Sequence, residues 1–287
     1  MNRAESLMQE VSAFMAADIT ACEAALAVAE RVQALRVSRA LPLVGLNGAQ
    51  GSGKSTLAAL LKRALAKFWN ARTAVLSLDD FYLTKADRLL LAAEVHPLCA
   101  TRGVPGTHDC PLLAQTLSQL TAATAQSRTQ IPAFSKLDDD RAPADAWTVF
   151  VGCPDIILFE GWCVGLSADL VPPWRGPINA LESEADPDGV WHRWSRGCLA
   201  ERYTPFWQMI DLLVCVAQPE DIRSVVQSRL KQEQGLSGEA PRMDERQIER
   251  FVQHYERYTL ALWSAMPHIA DMVVRRDRDF RFSIEKR

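Results

Sequence analysis

Apolar positions along this chain fall into two periods. From Ala4 to Arg36, the residues Leu7, Val11, Phe14, Met15, Cys22, Leu26, Val32 and Leu35 recur near helical spacing, which predicts a helical segment with one buried stripe. Leu41 to Leu46 is a short continuous apolar run, too short for a good helix and suited to a buried strand. Leu57, Leu60, Leu61, Leu65 and Phe68 then return to helical spacing. Further strands are predicted at Thr73–Leu78, Asp155–Phe159, Leu212–Ala217 and Met272–Val274, with a helix from Pro219 to about Gln234. Uniformly apolar strands alternating with helices predict an α/β fold, a parallel sheet covered on both faces.

Two stretches break the pattern. Cys99–Asp109 is rich in Gly, Pro, Thr and His, and Val171–Gly189 is rich in Pro, Glu and Asp beside Trp174, Trp191 and Trp194; both read as long loops. The expected organisation is a helical segment over 1–38 packed on a core domain over 39–287, with insertions near 95–150 and 163–205.

Composition narrows the function classes. With 48% hydrophobic and 23% charged residues the chain is an ordinary globular one. A formal net charge of −3 argues against bulk attraction to nucleic acid or an anionic membrane. Seven cysteines, an odd number with no CxxC pair, suit free thiols in a reducing compartment better than a disulfide framework or a zinc site. The opening MNRAESLMQE carries acids and no apolar core, unlike a signal peptide, and no run of 18 apolar residues suggests a membrane span. A cytoplasmic protein is the expectation.

The chemistry starts at Gly48-Ala49-Gln50-Gly51-Ser52-Gly53-Lys54-Ser55-Thr56, which fits G-x-x-x-x-G-K-[ST] between a strand and an amphipathic helix. Glycines let the backbone curl so that several N–H groups point at phosphate oxygens, and the helix start adds its positive dipole end. Lys54 would reach the β- and γ-phosphates of ATP, and the Ser55 hydroxyl would take Mg²⁺, a hard ion that prefers oxygen. Asp79 and Asp80 follow the second strand and Glu160 ends the third. Ligands of open parallel sheets sit beyond the carboxyl ends of the strands, so these acids suit a general base and a metal ligand; which of Asp79 and Asp80 is the base stays open.

On the acceptor side, Arg102–Asp109 sets charge among turn residues, and Lys136, Asp139, Asp140 and Arg141 form a second polar cluster. Arg and Lys there would suit a small anionic acceptor, although a solvated loop is the stronger reading for Asp138–Arg141 from sequence. Arg229, on the helix after the fourth strand, is the candidate cation for the transferring phosphoryl group, against the competing reading of a solvated helix face.

Taken together, GLNGAQGSGKST (Gly45–Thr56), LSLDDFYLT (Leu76–Thr84), RGVPGTHD (Arg102–Asp109), LFEGW (Leu158–Trp162), PINALE (Pro177–Glu182) and SRLKQEQ (Ser228–Gln234) resemble the bacterial and plant-type D-glycerate 3-kinase group. That group lies within the P-loop kinases that include uridine kinase, phosphoribulokinase and pantothenate kinase. The resemblance implies a three-layer α/β/α sandwich with a five-stranded parallel sheet in the order 2-3-1-4-5. It implies transfer of the ATP γ-phosphate to the 3-hydroxyl of D-glycerate. It makes Asp79 the base, with a share in the metal site, and Glu160 the magnesium-side acid. Asp80, Tyr82, Arg102, His108, Lys136 and Arg141 would line the acceptor site or its lid. One position departs from the family pattern: Ser135 stands where relatives place Asp before the lysine corresponding to Lys136. Two other functions compete, the same chemistry on a nucleoside, pantothenate or sugar derivative, and a nucleotide switch without an acceptor.

Overall fold

A computed structural model describes residues 13, 17–234 and 243–285. The central sheet grows from β1 (Leu43–Asn47), β2 (Thr73–Ser77) and, beyond the small pairings of β3 (Arg128–Ile131) with β6 (Thr148–Val151) and β4 (Phe134–Ser135) with β5 (Asp140–Arg141), β7 (Ile156–Gly161), β8 (Leu212–Ala217), β9 (Met272–Arg276) and β10 (Phe282–Ile284). Its order is β2-β7-β1-β8-β9-β10. The first five strands run parallel, in the expected 2-3-1-4-5 order when counted along the chain. A sixth strand corrects the five-stranded expectation: β10 pairs antiparallel with β9 through a tight return over Asp277–Arg281. Its apolar content, Phe282 and Ile284 only, is too short to register as a strand.

The parallel strands are apolar along their middles because both faces are covered, and their polar residues, such as Asn47, Ser77, Glu160 and Arg276, fall at the ends. Val44, Leu46, Leu158, Val214 and Val216 face one core cluster, while Leu43, Ile157, Phe159 and Cys215 face the other. That is the period-two alternation of a strand with two buried sides. The first face is covered by α1 (Ile19–Leu35) and α2 (Lys54–Trp69). Asp18 caps α1 by accepting from the Thr20 amide at 2.9 Å, and Ala21, Ala24, Ala25, Val28 and Ala29 form a small-residue stripe that lets it lie close on α2. The predicted stripe residues Leu7, Val11, Phe14 and Met15 lie outside the described residues.

The second face carries what pattern reading left blank. Between residues 235 and 271 the sequence reading assigns no element, yet α9 (Glu245–Ile269) runs 25 residues there. Its start is a capping box: Asp244 accepts from the Gln247 amide at 2.8 Å, and Gln247 accepts from the Asp244 amide at 2.9 Å. Ile248, Val252, Tyr255, Tyr258, Leu262 and Met266 fill its buried side at helical spacing.

The first predicted loop is irregular backbone, as expected, but buried, and the second contains a helix. Residues 102–108 are buried along their whole length. Gly103, at φ +153°, allows this: a Cβ there would sit 2.5 Å from the Tyr255 ring. The second stretch contains α5 (Ala180–Ala185), which is stapled to α9 by a buried pair. Arg257 donates to both oxygens of Glu182, at 2.9 and 2.6 Å, and to the Gly176 carbonyl at 2.7 Å. The PINALE segment therefore serves architecture. No helix among the described residues is long and apolar enough to cross a membrane, and none of the seven cysteines is in a disulfide.

Candidate active site

The carboxyl ends of β1, β2 and β7 lie in register, with Leu46 and Ser77 both opposite Glu160. The phosphate loop leaves β1 at this edge. Gly51 (φ +75°) and Gly53 (φ +89°) take left-handed backbone, as the tight curl needs. Gly53 ends the loop as the N-cap of α2 and provides no side-chain cap, so the first-turn amides around Lys54, Ser55 and Thr56 are left for an anion. Gly48 is pinched as well: a Cβ would lie 2.4 Å from Ser52 Oγ and 2.9 Å from the Val216 carbonyl. Ala49 and Ser52 are buried under the loop, whose turn is closed by the Ser52 amide donating to the Ala49 carbonyl at 3.1 Å.

Glu160 is 6% exposed. Its Oε1 accepts from Ser55 Oγ at 3.1 Å and from Ser77 Oγ at 2.9 Å. Its Oε2 is buried without a protein partner. A hydroxyl and a carboxylate with open lone pairs form the oxygen donor set that suits Mg²⁺ shared with phosphates. No group of three or more His, Cys, Asp or Glu among the described residues would cage a metal unaided.

A small inner cavity of about 80 Å³ adjoins the loop and is lined by Gln50, Gly51, Lys54, Ser55, Asp79, Tyr82, Arg102, Lys136, Arg229, Phe251 and Tyr255. Six separate chain segments meet here, among them nine of the residues singled out from sequence. Asp79, in the single 3₁₀ turn Leu78–Phe81 after β2, accepts from Lys136 Nζ at 3.0 Å. Burial opposes its ionisation, but the ammonium groups of Lys136 and Lys54 outweigh that and hold its carboxyl well below the usual range. Arg229 lies 5.3 Å over the Phe251 ring.

Asp80, beside Asp79, points elsewhere: its Oδ1 accepts from the Phe134 amide at 3.2 Å. Burial, helped by the Asp79 and Glu160 charges and opposed by that hydrogen bond, pushes its pKa up to about 6. His108 is buried, stacked on Tyr82 at 4.3 Å, with Nδ1 at 2.7 Å from the Tyr203 hydroxyl. Burial lowers its pKa to about 3, so it is a neutral ring. Arg141 donates to Asp109 at 2.8 Å and to the Tyr82 carbonyl at 3.1 Å. Asp80, His108 and Arg141 thus stand behind the cavity wall. Ser135 bonds Asp138 within its own turn, at 2.5 Å.

Phe251 and Tyr255 were missed from sequence. They come from α9, whose signal was present in the capping box and in the spacing of Ile248, Val252 and Tyr255.

No protein-family model matches the chain. It is 32% identical over 228 residues to the kinase mug58 of Schizosaccharomyces pombe, covering 74% of this chain and 78% of that one. It is 28% identical over 244 residues to the chloroplastic D-glycerate 3-kinase of Arabidopsis thaliana, covering 80% of this chain and half the length of that enzyme. The solved D-glycerate 3-kinase of Cryptococcus neoformans superposes with a TM-score of 0.68 at 25% identity, covering 97% of this chain and 99% of that one. Such kinship sets aside the switch without an acceptor. With the phosphate loop, the acids and the cavity on one sheet edge, the chain belongs to the glycerate-kinase-like family of P-loop kinases and is an ATP-dependent phosphotransferase with an alcohol acceptor.

Proposed function

We propose that the protein transfers the γ-phosphate of ATP to the 3-hydroxyl of D-glycerate, giving 3-phosphoglycerate and ADP. The observation that carries this reading is the inner cavity. It is small, it adjoins the phosphate loop, and Arg102, Lys136 and Arg229 converge in it around one acid, Asp79. A short hydroxy acid presents one carboxylate to such cations and one hydroxyl to such an acid.

The loop amides and Lys54 bind the β- and γ-phosphates. Ser55 and Glu160 would hold Mg²⁺, which would supply neutralisation of phosphate charge. Arg102 and Lys136 fix the acceptor carboxylate, and Asp79 orients the acceptor hydroxyl. As the oxygen–phosphorus bond forms and the β–γ bridge breaks, the hydroxyl proton passes to Asp79 and ADP carries away the bridging oxygen. An acid with a depressed pKa is a weak base, which suffices for a loose transition state in which the nucleophile loses its proton late. Lys54 and Arg229 balance the charge on the transferring group.

A second reading has one observation behind it. An outer chamber of about 540 Å³ shares Arg102, Lys136, Arg229 and Phe251 with the inner one and extends to Gln247, Arg250 and His254. That volume would take a larger acceptor through the same chemistry.

The test is ADP release by purified protein with ATP and Mg²⁺, with D-glycerate or with a panel of nucleosides, pantothenate and sugars. Strong stimulation by D-glycerate alone is expected. Stimulation by a larger acceptor alone would overturn the glycerate assignment and favour the second reading.

A further inference from the structure

Arg88 belongs to none of the groups discussed so far. It sits on α3 (Lys85–Glu94), its side chain is 0% exposed, and it is among the largest fully buried side chains of the molecule. A buried guanidinium without partners would cost several kcal/mol. Its partners show what it is for. Nη1 donates to the Leu83 carbonyl at 2.9 Å, and Nε donates to the Ala100 carbonyl at 3.2 Å. Nη2 donates at 2.7 Å both to the Asp139 carbonyl and to Asp139 Oδ2. Leu83 follows the Asp79–Tyr82 turn, Ala100 precedes Arg102, and Asp139 lies in the hairpin between β4 (Phe134–Ser135) and β5 (Asp140–Arg141) that carries Lys136. One side chain therefore ties together the three segments that supply Asp79, Arg102 and Lys136 to the cavity.

Asp139 is the second half of the device. Its backbone is left-handed at φ +53°, a conformation that Asp and Asn tolerate better than most residues. Its other oxygen, Oδ1, accepts from Arg102 Nη1. Arg102 is further seated by aromatic rings, its guanidinium carbon lying 5.4 Å over Phe134 and 5.8 Å over Phe251. The charges matter as much as the geometry. Asp139 alone would orient Arg102 but cancel its charge. With Arg88 behind it, the chain of two cations and one anion keeps a net positive charge, and Arg102 presents it at the cavity.

We propose that Asp139 and Arg88 are positioning residues for the acceptor: Arg88 anchors and neutralises Asp139, and Asp139 aims Arg102 at an acceptor carboxylate. This deepens the reading under Proposed function and rests on it for the anionic acceptor.

The experiment is a double-mutant cycle on the full-length protein, with steady-state kinetics in both substrates and a melting curve for each variant. Asp139→Asn keeps the left-handed backbone and the volume while removing the charge. It is expected to raise the acceptor KM roughly tenfold, with kcat and the ATP KM little changed; because Arg88 loses its anionic partner, the melting temperature falls as well. Arg88→Lys, which keeps a charge but loses the fork, is expected to move the acceptor KM in the same direction. In an Arg102→Ala background, Asp139→Asn is expected to have no further effect on acceptor KM, because its action runs through Arg102. The proposal is overturned if Asp139→Asn leaves the acceptor KM unchanged, or raises the ATP KM as much as the acceptor KM. It is equally overturned if the full effect persists without Arg102. The wild-type rate with D-glycerate is read first and separately. Its absence strikes the glycerate reading, and the cycle is then run, with the same deciding outcomes, on whichever acceptor of the panel drives ADP release.

Discussion

The nucleotide side and the acceptor side of the cavity are built on different plans. The nucleotide side is local: nine consecutive residues, Gly48–Thr56, form the loop and the helix start. The acceptor side is assembled from the turn after β2, the buried segment 102–108, the β4–β5 hairpin and α9, held by pairs as remote in sequence as Arg88–Asp139 and Glu182–Arg257. Function on the first side therefore depends on a motif, and on the second on packing. A change on the nucleotide side should cost rate with little stability, whereas changes behind the acceptor wall should cost stability or acceptor affinity.

The largest expected effect is on the acceptor side and far from the chemistry. Glu182→Ala leaves the Arg257 guanidinium, 9% exposed, without its carboxylate. We expect a loss of about 3–5 kcal/mol, the usual cost of breaking a buried pair on one side, read by chemical denaturation. Wild-type stability would mean that α5 is not what fastens the insertion to α9. Next comes Lys54→Ala, where kcat should fall about 10²–10³-fold with the denaturation midpoint unchanged, as for loss of one preorganised electrostatic group. Rate measurement beside a melting curve checks both halves.

Asp79→Asn separates the two roles given to this residue. It should lower kcat about a hundredfold or more while leaving the ATP KM near normal, in keeping with loss of a proton acceptor. If ATP·Mg²⁺ binding weakens instead, Asp79 belongs to the metal site. The smallest effect belongs to its neighbour. The carboxyl of Asp80 has its pKa raised from 3.8 to about 6, so the folded state holds its proton more tightly than the unfolded state does. Stability from this group is present below about pH 4 and is lost as pH rises to about 6. Asp80→Asn can still accept from the Phe134 amide but carries no charge. It should stabilise the protein at pH 8 by about 1–2 kcal/mol and have almost no effect at pH 4. Equal effects at both pH values would show that burial of the charge is not what matters at Asp80.

Much of this architecture is legible in the chain. Five apolar strand segments appear within a few residues of their places, because a strand buried on both faces is apolar along its middle. Helix α9 was passed over although its stripe is regular. It is half polar, with Arg, Glu and Gln between the core residues, and no glycine-rich motif draws attention to it. The 102–108 segment misled in the opposite direction. Its glycines, proline and threonine read as a long loop, with nothing to show that it is buried; Gly103 and Gly106 let the Tyr255 and Trp194 rings lie against bare backbone.

By itself, then, the sequence determined the five parallel strands, the phosphate loop and the residue types of the site, since each follows from a local apolar run or from a contiguous motif whose backbone does the work; the sheet order came from the family resemblance, and β10 only from the fold. Tertiary structure alone decided which residues face the cavity. Asp79 and Asp80 are adjacent and chemically identical, yet one meets Lys136 over the phosphate loop and the other a backbone amide of the hairpin. Arg102 and Arg141 are both expected on the acceptor side, yet only Arg102 lines the cavity. Direction is set by neighbours far away in the chain, and the free energy that orients a side chain comes from partners that only the fold brings within reach.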